Sequence, residues 1–157
     1  MGNAGEGALD TRFDPLEVIR FVASEAPKAP FTILIADNIG YFTPEETLIR
    51  GWRGLRFGGC SAGLSTLGID SVGNVRGCES LYDDRFIEGN LRQRSLRAIW
   101  EDETAFAYNR KFTPELLTGK CAHCAVGEYC AGGCRSHNFF SNGGKLYENS
   151  LCVKDAE

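Results

Sequence analysis

The apolar positions in the first third of the chain change period once. Leu16, Val18, Ile19, Phe21 and Val22 recur at helical spacing as far as about Ala26. Asp14 precedes them as a cap, Pro15 takes the first helical position, Glu17 adds an acid to the first turn, and Pro27 and Pro30 end the segment. Phe31-Thr32-Ile33-Leu34-Ile35-Ala36 is then almost continuously apolar, which predicts a strand buried on both faces, as in a parallel sheet. Helix, short loop and strand are half of an α/β alternation. One such unit makes no sheet alone. Residues 1–59 therefore read as the end of a larger α/β domain, or a piece that docks onto one, with a Gly-rich polar loop at 1 to about 13.

The pattern beyond residue 36 is broken into short pieces. Asp37 to Tyr41 is a polar loop, and Thr43-Pro44 restarts a helix with Thr43 as its cap. A glycine-rich stretch from Gly51 to Gly59 leads to Cys60. Leu64 to Asp70 and Val75 to Cys78 flank Ser71-Val72-Gly73-Asn74, which predicts a β-hairpin bringing Cys60 and Cys78 into one neighbourhood. Ser95 caps a helix over Leu96 to Trp100, Phe106 and Tyr108 carry a helical layer to Lys111, and Thr113-Pro114-Glu115 opens a further turn. The remainder is mainly loop, with a short helical piece near Cys130–Cys134.

Composition narrows the function classes. The 157 residues are 43% hydrophobic and 24% charged, with a net charge of −4. That balance argues against a nucleic-acid binder working through bulk charge. No apolar run reaches the length of a membrane span. The first residues show neither a basic n-region nor an apolar h-region, so the expected compartment is the cytoplasm, where clustered cysteines more often bind metal than pair.

There are seven cysteines. Cys121, Cys124, Cys130 and Cys134 form a C-x2-C-x5-C-x3-C run, and Cys60, Cys78 and Cys152 stand apart. An odd count leaves a thiol over in any disulfide scheme. C-x2-C places two thiolates on one metal or one cluster edge, and Gly127, Gly132 and Gly133 let backbone approach it. Spacing alone leaves a structural zinc site and an iron–sulfur centre both open.

The whole pattern resembles the SPASM domain, the C-terminal auxiliary iron–sulfur extension of radical S-adenosylmethionine (SAM) enzymes that modify peptides and proteins. The resemblance rests on Cys60-x12-Gly73-x4-Cys78, the C-x2-C-x5-C-x3-C run and Cys152. Gly89-Asn90, Ser95-Leu96, Ile99-Trp100 and Gly132-Gly133-Cys134-Arg135 add to it. It implies an α+β chain: the terminal helix–strand unit of a partial α/β barrel (1–59), then a SPASM domain of β-hairpin and helices (60–157) organised around two [4Fe–4S] clusters. By the same resemblance Cys60, Cys78 and Cys134 hold the first cluster, and Cys121, Cys124, Cys130 and Cys152 the second. The first then has one iron without a cysteine, open to substrate or another ligand.

Radical SAM chemistry needs C-x3-C-x2-C, and this sequence has no cysteine before Cys60. The expectation is a chain not competent for SAM cleavage alone, meeting the cofactor only through a missing or partner core domain. The resemblance implies a precursor peptide or protein as substrate, an electron donor or acceptor protein as partner, and an electron-transfer and substrate-binding role in peptide maturation. The catalytic residues are unknown. The alternative is a zinc-stabilised, non-catalytic interaction module on the same cysteines.

Other residues carry weaker signals. His123 is a second-choice ligand inside C-x2-C. His137 reads as a helix-surface residue or one hydrogen-bonded to a ligand. Arg135 either balances cluster charge or is a solvated helix arginine. Asp37 and Tyr41 follow the expected strand and are substrate-side candidates. Trp52 and Trp100 read as core. Gly51 to Gly59 lacks the Lys-Ser/Thr ending of a phosphate loop.

Overall fold

Asp14 caps the first helix as its sequence suggests, its Oδ1 accepting from the backbone N–H of Leu16 at 2.9 Å. The structure is a computed structural model that describes residues 14–33, 35, 39–50 and 56–154. Helix α1 (Pro15–Glu25) turns Leu16, Ile19 and Ala23 inward. Val18 and Phe21 stay exposed, so its buried stripe is narrower than the apolar pattern predicts. Ile19 and Ala23 pack against Ile49 of the short helix α2 (Glu46–Ile49), with Val22, Ile35, Ile39 and Val153 around them. Val153 draws the C-terminal end of the chain onto this N-terminal layer.

Two expectations fail in this region. Among the described residues Phe31–Ile33 and Ile35 form no strand, and Phe31 is 68% exposed. A buried strand needs ladder partners on both edges, and among the described residues none runs alongside. Leu34, Ala36, Asp37 and Asn38 lie outside the described residues. Thr43 does not cap α2 with its side chain. The helix begins later, at Glu46, and the Thr43 carbonyl accepts the Glu46 N–H at 3.1 Å.

Glu46 is fully buried and organises this part of the chain. Its carboxylate accepts from Phe57 N–H at 2.7 Å and Phe42 N–H at 2.9 Å. Arg50 lies 3.4 Å away as its ion-pair partner. A buried carboxylate is tolerated when its oxygens are paired and hydrogen-bonded in this way.

The hairpin forms, and a third strand joins it. Strands β1 (Gly68–Ile69), β2 (Asn74–Arg76) and β3 (Gly89–Asn90) make an antiparallel sheet in sequence order, pairing Ile69 with Val75 and Val75 with Gly89. Asp70 closes the turn by accepting from Val72 N–H at 3.1 Å and Asn74 N–H at 2.9 Å. Gly73 sits at φ +90°, where a side chain would be strained.

Helix α3 (Leu96–Trp100) begins behind Ser95, whose Oγ accepts from Ala98 N–H at 3.2 Å. The next helix, α4 (Ala107–Arg110), is separated from it by a turn. Phe106 enters α4 at φ +56°. A left-handed phenylalanine costs roughly 1–2 kcal/mol, offset here by complete burial with Val75, Ile99 and Ala105. Two short helices follow, α5 (Gly127–Cys130) and α6 (Arg135–Ser141), so helix flanks the Cys130–Cys134 segment instead of filling it.

Candidate metal centre

Cys60 and Cys78 are brought together by the hairpin and fixed by α4. Gly63 N–H donates to the carbonyls of Thr66 at 2.8 Å and Gly77 at 3.2 Å, closing the loop at the hairpin's base. Asn109, buried on α4, donates from Nδ2 to the carbonyls of Cys60 at 3.1 Å and Ala62 at 2.7 Å. Arg110 adds a bond to the Gly63 carbonyl at 2.9 Å and lies over Trp100 and Phe106, 4.6 Å from each ring. Both cysteines pack against the cluster of Ala62, Leu81, Phe86 and Phe139.

Cys134 joins this pair from the other end of the domain. It immediately precedes α6, whose Ser136 Oγ donates to the Ser80 carbonyl at 2.6 Å, just beyond Cys78. Burial pushes the Cys134 thiol above its ordinary range, and the Cys60 and Cys78 thiols act in the same direction. The backbone N–H groups of His137 and Ser136 donate to its sulfur and oppose the shift.

The other four cysteines form a second neighbourhood. Cys121 lies in a short 3-10 turn (Gly119–His123), Cys124 follows it, and Cys130 ends α5. Cys152 is brought in by the C-terminal segment, which Lys120 Nζ holds through the carbonyls of Cys152 at 2.7 Å and Ser150 at 3.4 Å. Burial first, then Cys152, Cys121 and Cys124, push the Cys130 thiol up to about 12. Cys121 is raised by burial and by Cys152 and Cys124, with the Asn149 N–H donating to its sulfur. Cys134 thus has the Cys60 and Cys78 thiols as charged neighbours, and Cys130 and Cys121 both have those of Cys124 and Cys152.

A left-handed strap separates the two groups. Ala131, Gly132 and Gly133 have φ of +53°, +78° and +89° in succession. A Cβ on Gly132 would stand 2.7 Å from the Tyr147 carbonyl, and one on Gly133 2.9 Å from the Tyr41 ring. This tight path turns the chain sharply between Cys130 and Cys134, which both pack against Tyr41 and Phe57.

None of the seven thiols forms a disulfide. Among the described residues no three His, Cys, Asp or Glu side chains converge closely enough to cage one metal ion. A cubane cluster asks for wider spacing, since it takes one thiolate on each iron. Buried donors near the thiols also lack partners. Arg135 Nε and Nη2 and Asn149 Nδ2 are buried without a hydrogen bond among the described residues. Unpaired buried donors beside grouped thiols are the complement of an acceptor-rich, anionic centre. The residues present fit an iron–sulfur cluster.

The weaker candidates separate clearly. His123 is exposed. His137 is buried rather than on the helix surface, its ring held below the ordinary histidine range by burial. Arg135 is fully buried, which rules out a solvated helix arginine. Tyr41 is sealed in, stacked 4.1 Å from Phe57, with its phenol pushed upward by burial and by Cys134. It walls the thiol region and does not face open solvent. Trp100 packs on Phe106 at 5.6 Å, as core. Asp37 and Trp52 lie outside the described residues. Sequence reasoning missed Asn109 and Asn149, which act through contacts distant in the chain.

Residues 60–125 match the SPASM family, an iron–sulfur cluster-binding domain, over a span holding Cys60, Cys78, Cys121 and Cys124. The chain is 36% identical over 95 residues to the AdoMet-dependent heme synthase of Methanosarcina barkeri, covering 60% of this chain and 26% of that protein. It is 32% identical over 83 residues to the mycofactocin maturase MftC of Mycolicibacterium smegmatis, covering 52% and 20%. It therefore spans about a quarter or less of the length of these relatives. The solved structure of native anSMEcpe with bound AdoMet and Cp18Cys peptide aligns with a TM-score of 0.44 and 16% identity, over 96% of this chain and 42% of that one.

Proposed function

We infer that this chain, whose residues 60–125 belong to the SPASM family of iron–sulfur cluster-binding domains, holds two [4Fe–4S] clusters and serves as the electron-transfer and substrate-binding part of a radical SAM peptide maturase. Cys60, Cys78 and Cys134 would hold one cluster, with one iron lacking a cysteine. Cys121, Cys124, Cys130 and Cys152 would hold the other. The observation that supports this reading is the chain path: Ser136 meets the Ser80 carbonyl just beyond Cys78, Lys120 holds the Cys152 segment beside Cys121, and the Gly132–Gly133 strap runs between Cys130 and Cys134.

When bound, such clusters supply one-electron redox chemistry and, at the iron without a cysteine, a Lewis-acid position. The chain's own residues do the rest. Asn109 and Arg110 hold the Cys60 loop in place. N–H groups of Ser136, His137, Gly133 and Asn149 donate to the sulfurs of Cys134, Cys130 and Cys121 and favour their thiolates. Tyr41 and Phe57 exclude water from the Cys130 side.

Cleavage of SAM falls to a core carrying C-x3-C-x2-C, which is the partner this reading requires. Residues 1–59 are proposed as the end of that core's barrel and 60–157 as the SPASM domain, in contact with it through Tyr41 and Cys134. The heme synthase relative favours a second reading of the substrate, in which the same module serves a tetrapyrrole instead of a peptide.

Anaerobically prepared protein tests the metal assignment. Broad absorbance near about 400 nm with about eight iron and eight sulfide per chain is the expected result. A colourless protein with stoichiometric zinc sinks the reading in favour of a zinc-stabilised interaction module.

A further inference from the structure

Arg135 carries a charge into the interior of the thiol region. It is fully buried, and among the described residues no carboxylate pairs with it. Its Nη1 donates to the carbonyls of Ala131 and, at 3.1 Å, Leu146. Its guanidinium lies over the rings of Tyr147 at 4.5 Å and Phe112 at 5.5 Å. Among the described residues Nε and Nη2 have no hydrogen-bond partner. A buried cation left in that state is costly unless anions stand beside it. Arg135 directly follows Cys134, proposed for the three-thiol group, and its Nη1 bonds the carbonyl of Ala131, which directly follows Cys130, proposed for the four-thiol group.

We propose that Arg135 is the shared counter-cation of both cysteine groups, its two spare nitrogens reserved for sulfur and its single charge raising the reduction potentials of both clusters together. This rests on the cluster reading above. Reduction adds a negative charge to a cluster, so a fixed cation nearby favours the reduced form. A guanidinium suits the position because its planar fork can donate in several directions at once. Arg135 is a positioning and tuning residue, not a catalytic one.

The test compares wild type, Arg135→Gln and Arg135→Lys, each loaded anaerobically and analysed for iron and sulfide, then titrated with dithionite and followed by electron paramagnetic resonance. Wild-type protein without two clusters defeats the underlying reading and not this one specifically. With two clusters present, Arg135→Gln is expected to lower both midpoint potentials. The expected fall is at least a tenfold change in the reduction equilibrium, about 59 mV for a one-electron couple. Unchanged potentials, or a shift in one cluster only, overturn the proposal. If Arg135→Gln fails to load, Arg135→Lys decides. Loading of the lysine variant supports a requirement for charge, and its failure assigns Arg135 to packing alone and overturns the proposal.

Discussion

The backbone N–H of Cys134 donates to the Tyr41 phenol oxygen at 3.2 Å across 93 positions of chain. That bond ties the segment before the domain match to the cysteine that immediately precedes α6. Tyr41→Phe keeps the ring against Phe57 and Gly133 but leaves a buried N–H without its acceptor. The expected cost is about 1–3 kcal/mol in denaturant unfolding. Stability equal to wild type within error would show that water or another group takes over the bond.

Two glycines separate backbone strain from collision. Gly132→Ala adds a Cβ 2.7 Å from the Tyr147 carbonyl at φ +78°, while Gly143, at φ +59°, has nothing within 4 Å of the added carbon. Gly143→Ala is expected to cost the left-handed penalty alone, roughly 1–2 kcal/mol. Gly132→Ala is expected to cost more and to lower iron retention. Equal melting shifts for the two variants would contradict the strap's role.

Much of this was legible in the sequence, and the limits have a physical cause. The cap at Asp14, the cap at Ser95 and the turn at Gly73 are local and fall where the residues place them. The cysteine spacing pointed to a metal centre because four thiols crowded into one run wrap a metal more readily than they pair. What escaped depends on distant partners. Strand β3 is two residues long, one of them a glycine packed beneath Ile99, so no alternation announces it. The run from Phe31 has strand composition, but among the described residues no strand lies beside it to pair with. Arg135, Glu46 and Asn149 are polar residues whose burial comes from long-range packing that no periodicity encodes.

The hairpin turn should be acid-sensitive. A hydrogen bond from Arg76 is the main cause holding the Asp70 carboxyl down at about 2, from an ordinary 3.8. The folded value lies below the unfolded one, so the stabilisation is present above about 3.8 and is lost as pH falls toward 2. Asp70→Asn should flatten stability against pH across that window. An unchanged acid slope would place the sensitivity elsewhere.

The division of the seven thiols decides whether this chain holds one cluster or two. Iron analysis of Cys78→Ala and Cys124→Ala, combined with paramagnetic resonance of the reduced proteins, tests it directly. Each variant should keep about four of about eight irons, and the two should lose different signals, one from each group. Loss of the same signal by both, or unchanged iron in either, would contradict the division into three and four.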